Sequence, residues 1–159
     1  MRFCEVNKMS EDLKKIVEWF LSKKPMSPKK LQKLLYYAQA WTVTLTNEKD
    51  EKNKNRLFNE RFEAWVHGPV IPEVYQKYKK HGYSNILFEG ETPELDEEIT
   101  DILEQVMEVY GNYNGNELEN ITHQESPWIN ARKGFSPLEI CNKEISVDDM
   151  FDYYIKQAE

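Results

Sequence analysis

Apolar residues recur along this chain mostly at intervals of three and four, the spacing of one helical face. Leu13, Ile16, Val17, Phe20 and Leu21 predict a first helix over residues 10–24. Ser10 suits its N-cap, with Glu11 and Asp12 at the positive end of the helix dipole, and Pro25 stops it. Ser27 and Pro28 open a second helix, whose inward positions are Leu31, Leu34, Leu35, Ala38 and Trp41. From Phe58 to Val66 the period shortens to two. Phe62, Ala64 and Val66 alternate with Glu63 and Trp65, which predicts a short strand.

Helical spacing then returns. Pro72 and Glu73 start a helix that ends at His81 and Gly82. Thr92-Pro93-Glu94 is expected to begin the longest helix, with Leu95, Ile99, Ile102, Leu103, Val106 and Tyr110 as its buried stripe. Asn114 and Glu117 have capping-box spacing. Ser126 and Pro127 read as the cap and first position of a short helix bearing Trp128, and a last helix spans 146–157. The expected fold is mainly α: a compact single domain, residues 1–159, of about six helices with one short β element around residues 57–66. The polar run at 46–56 has no apolar anchor and reads as an exposed, mobile loop.

Composition narrows the function classes. The chain is 40% hydrophobic and 31% charged, which fits a soluble globular domain rather than a disordered one. No apolar run is long enough to cross a bilayer, and the N-terminal stretch lacks the apolar core of a secretory signal. Two distant cysteines, Cys4 and Cys141, point to a reducing, cytoplasmic setting and to neither a metal site nor a cofactor. The net charge of −7 is unevenly spread. Residues 1–80 hold 17 Lys or Arg, whereas residues 81–131 hold none and carry 12 acids. The basic clusters Lys29–Lys33 and Lys77–His81 invite nucleic acid, but a pI of about 5.1 argues against it.

Two stretches hold the candidate chemistry: "EAWVHGPVIPEVYQ" at 63–76 and "THQESPW" at 122–128. His67, His123 and Glu125 are the residue types of a general base or a metal set, which would make the chain a hydrolase or metal-dependent enzyme. No nucleophile motif, His-Glu-x-x-His pair or phosphate-cradling loop accompanies them. A structural account needs less. Gly68 permits a positive φ at a strand-to-helix corner, Pro69 keeps Gly68 from becoming helical, and Pro72 sets the next helix. His67 would then face orphan amides or Glu73, while Pro127 and Trp128 start and anchor a short helix.

The strings "KLQKLLYYAQAW", "FEAWVHGPVIPEVYQKYKKHG" and "LENITHQESPWINAR", in this order, resemble the SocA-like Panacea domain over about residues 26–132. The resemblance implies a mainly helical antitoxin domain of bacteria and their phages. Such a domain is encoded beside a toxin and neutralises it by protein contact, with no catalytic residues assigned. The helices at 10–24 and 146–157 would pack on it. His67, Gly68, Pro69, Pro72, His123, Glu125, Pro127 and Trp128 are then structural. Aromatic and basic residues of the matched blocks, namely Tyr36, Lys33, Trp65, Tyr75 and Tyr78, are the expected contacts with the toxin. Of the adjacent tyrosines, Tyr37 is expected inside and Tyr36 outside. Membrane is not an expected partner, nucleic acid is disfavoured, and a homo-oligomer is left open.

Overall fold

A computed structural model describes residues 8–158, so Cys4 lies outside the described residues. Within it are seven α-helices and a short hairpin: α1 (Glu11–Lys23), α2 (Pro28–Thr46), β1 (Glu63–Trp65), β2 (Gly68–Val70), α3 (Pro72–Tyr78), α4 (Glu97–Tyr110), α5 (Gly115–Thr122), α6 (Ser126–Ala131) and α7 (Val147–Ala158). The caps follow the sequence. The Ser10 and Ser27 side chains accept from the amides of Leu13 and Lys30, and Asn114 and Glu117 form a reciprocal capping box.

The longest helix is α2, at 19 residues, not α4 at 14. It is the axle of the fold. α1, α3, α4, α5, α7 and β2 all pack on it, and every residue from Leu31 to Ala40 is buried. A helix enclosed on all sides has no solvent face. This overturns the expected split of the tyrosine pair. Tyr36 is only 1% exposed, edge-on to Phe62 at 5.4 Å with Tyr154 of α7 beyond it, while Tyr37 stacks on Tyr110 at 3.9 Å. Tyr37 is buried as expected, and Tyr36 is buried with it. Lys33 is likewise 1% exposed, so neither offers an open surface contact.

Other boundaries shift for local reasons. The corner after Trp65 is a second strand rather than a direct entry to α3: β2 pairs antiparallel with β1, Trp65 opposite Gly68 and Glu63 opposite Val70. The far side of the β1 segment is covered too, because the Ala64 amide donates to Lys143 O and the Ile145 amide to Phe62 O. α4 begins at Glu97, not near Thr92, whose hydroxyl is engaged with Ser22 at 2.9 Å. In α6 the N-cap is Glu125, and Ser126 is already helical. The polar run at 46–56 is tied at its neck. Asn47 and Asn55 exchange two hydrogen bonds of 2.8 Å, and Asn55 also donates to Thr46 O. No helix among the described residues is long and apolar enough to cross a membrane.

Candidate functional site

Folding draws the three sequence blocks into one place, where the side chains of one satisfy the backbone of another. Gln32 of α2 grips Ile71 at the end of the hairpin, donating to its carbonyl and accepting from its amide. Gln39 does the same for the segment before β1, with Leu57 N and Phe58 O as partners. Trp128 Nε1 donates to Trp65 O at 2.9 Å, and Arg132 Nη1 donates to Ala64 O at 2.8 Å. Buried backbone groups need such partners when no ladder supplies them.

Gly68 adopts a φ of +107°, the conformation its position at the corner requires. It has a second reason to be glycine. A Cβ there would lie 2.8 Å from Lys33 Cε and 3.1 Å from Thr122 Oγ1, so residues from all three blocks meet at this point. Lys33 Nζ donates to Pro69 O at 3.2 Å. Burial, aided by the neighbouring charge of Lys29, lowers its pKa to about 7.

The proposed trio of His67, His123 and Glu125 does not assemble. His67 is exposed and its Nδ1 lies 3.1 Å from Glu119 Oε2, not near Glu73 or Glu125. Glu119 also accepts from Lys29 at 2.7 Å. Burial would raise its carboxyl, but the hydrogen bonds from Lys29 and His67 prevail and hold it below its usual range. His123 stacks on Trp128, ring centres 4.0 Å apart, with Nε2 3.9 Å from Glu119 Oε2. Burial lowers its pKa. Trp128 is half-buried at the edge of the core rather than sunk within it. Among the described residues, no group of three His, Cys, Asp or Glu side chains is arranged to hold a metal ion. Glu119 was missed by the sequence reading, although its spacing of four from His123 on a helix places both on one face.

Glu125 turns the other way, into the core. Its Oε1 accepts from the hydroxyls of Tyr37 and Tyr154, each at 2.7 Å. Tyr154 has a single proton and gives it to Glu125, so the Tyr36 hydroxyl 3.2 Å away completes the chain as its donor. Burial raises the Glu125 pKa, and the two tyrosine hydrogen bonds oppose that rise.

Of the remaining expected contacts, Trp65 and Tyr75 share an outer face and Tyr78 does not line it. Trp65 is half-buried with its ring centre 5.0 Å from that of Tyr75, and Tyr75 is 40% exposed. Tyr78 is half-buried against the core.

The three blocks interlock because side chains of one satisfy the backbone of another. Residues 31–129 match the model of the antitoxin SocA-like Panacea domain, and the chain belongs to that family. The match begins and ends inside the 26–132 span expected from the motifs. A particular relative is the antitoxin SocA of Caulobacter vibrioides (strain NA1000 / CB15N). The two are 29% identical over 140 residues, an alignment taking in 76% of this chain and 70% of that protein. No solved structure matches the chain significantly.

Proposed function

We propose that this protein is an antitoxin that neutralises a cognate toxin by direct protein contact, the toxin being encoded by an adjacent gene. The observation that carries the reading is the family match across residues 31–129, which takes in all three interlocked blocks. The geometry agrees with a binding role. The exposed His67 is paired with Glu119, His123 is stacked on Trp128 with its Nε2 3.9 Å from the same carboxylate, and Glu125 is spent on two tyrosine hydroxyls inside the core. We assign the chain no catalysis of its own, place it in the cytoplasm, and treat residues 1–159 as one domain with α1 and α7 packed on the family core.

The neighbouring open reading frame provides the test. Expressed alone it should arrest growth, co-expression with this chain should restore growth, and the two proteins should co-elute as one complex. A neighbour that is harmless alone, or a toxin rescued without any complex, would overturn the reading.

A further inference from the structure

We propose that the groove between the hairpin, the start of α2 and α3 is the toxin-docking face, and that it takes a toxin segment bringing an apolar side chain and a carboxylate together. The inference rests on the antitoxin reading for its occupant, while its chemistry rests on the groove itself. The groove holds about 340 Å³. Trp65, Val70, Tyr75 and Tyr83 give it apolar walls, and Tyr83 is 95% exposed. Trp65 and Tyr75, wet on one side and packed against each other on the other, are of the kind that anchors protein contacts, while Tyr83 stands out in solvent at the rim.

Its charge is one-sided. Lys29, Lys33, Lys79 and His67 line it, and among the described residues no Asp or Glu does, in a chain that carries 28 acids. The carboxylates nearest by bonding are already engaged. Glu119 accepts from Lys29 and faces His67, and Glu63 accepts from the Trp65 indole at 2.9 Å. Lys33 is the least satisfied. Its ammonium has three protons, is buried, and finds one protein acceptor in Pro69 O. Desolvation of that ammonium already weighs against its charged form, and a carboxylate brought into the same low-dielectric pocket would restore it. A neutral apolar segment would gain from the walls but bring no counter-charge to Lys33 and Lys79, the two groove lysines that Glu119 does not pair.

A second groove of about 330 Å³, between α2, α4 and α7, makes the contrast. Trp41, Leu45, Val106 and Val109 line it, and among the described residues no charged side chain does. It serves as the control face.

Two arms test the proposal. In the first, the full chain is titrated with N-acetyl-Leu-Glu and with its uncharged N-acetyl-Leu-Gln amide, reading the Trp65 indole resonance by NMR. The acidic peptide should shift that resonance and the amide should not. Lys33→Met, which takes a charge out of the groove floor, should weaken the shift, and so should Lys79→Glu, a surface change that leaves the core untouched. No shift up to about 10 mM, or equal shifts from both peptides, would overturn carboxylate recognition. In the second, affinity for the neighbouring toxin is measured calorimetrically. Tyr75→Ala and Lys79→Glu should each weaken binding at least about tenfold, while Val109→Glu on the control face leaves it unchanged. The reverse pattern would place docking elsewhere. If the neighbour proves not to be a toxin, the antitoxin reading falls, and the peptide arm still decides the chemistry of the groove.

Discussion

Replacing Glu125 separates the two things its carboxyl does inside the core. Its oxygen satisfies the hydroxyls of Tyr37 and Tyr154, both 0% exposed, and its ionisation is penalised by burial. Glu125→Ala orphans both donors, and each buried unsatisfied hydroxyl costs about 1–3 kcal/mol. Relief of the carboxyl's own desolvation offsets part of that, leaving a loss of about 2–5 kcal/mol. For a chain of this length each kcal/mol moves the melting point by about 2–4 °C, so a fall of about 5–15 °C is expected. Glu125→Gln keeps an acceptor oxygen and removes the charge, and should stay within about 1 kcal/mol of the parent.

pH sharpens the distinction. Burial raises the Glu125 pKa above 4.5, so the folded chain holds that proton more tightly than the unfolded chain does. The stability this supplies is present below pH 4.5 and is lost as pH climbs through the raised folded value. Glu125→Gln has no such loss, and should gain on the parent as pH rises through that window. Thermal melts from pH 4 upward, followed by circular dichroism, measure both effects. An alanine variant melting with the parent, or a glutamine variant as weak as the alanine one, would refute the network's role.

Gly68→Ala combines a positive φ with a Cβ only 2.8 Å from Lys33 Cε, and should lower stability by about 2–4 kcal/mol in urea titration. Gln32→Ala strips both hydrogen bonds from the buried backbone of Ile71 and should cost about 2–3 kcal/mol by the same assay. His67→Ala removes an exposed side chain facing Glu119, so its melt should move by less than about 1 kcal/mol. Lys33 has a pKa lowered from 10.5 to about 7, so the unfolded chain binds its proton more tightly. The parent should therefore gain stability from this group between pH 7 and 10.5, a gain absent from Lys33→Met in melts across that range.

Much of the helical frame was written locally. Ser10, Ser27 and the Asn114–Glu117 pair cap the helices as their types require, and the apolar stripe of α1 is buried, as is that of α4 from Ile102 on, while Ile99 is half-buried and Leu95 precedes the helix. Gly68 was legible as a corner from its backbone angle, whereas the close approach of Lys33 and Thr122 to it was not. The fate of Tyr36 was not legible. Its ring is enclosed by Phe62 and by Tyr154, residues that arrive from 26 and 118 positions away, and periodicity says nothing about what covers a second face. The second strand was hidden for another reason, since a three-residue strand centred on Pro69 violates the usual composition of a ladder. Trp65 and Tyr75 lie where a partner can reach them, whereas Lys33 forms the floor beneath.

The enclosure of α2 also sets a timetable for synthesis. The helix is complete at Thr46, yet one of its sides is walled by α7, which begins at Val147. About a hundred residues separate the two, and at about 5–20 residues per second the ribosome takes roughly 5–20 s to supply the missing wall. Until then the side of α2 that carries Tyr36 has no covering from Tyr154, and Glu125 lacks one of its two donors. A newly started chain is therefore unfinished through most of its translation. On the antitoxin reading proposed above, protection would come from copies already released rather than from those still being extended. Proteases meeting the nascent chain would find their easiest target before α7 closes.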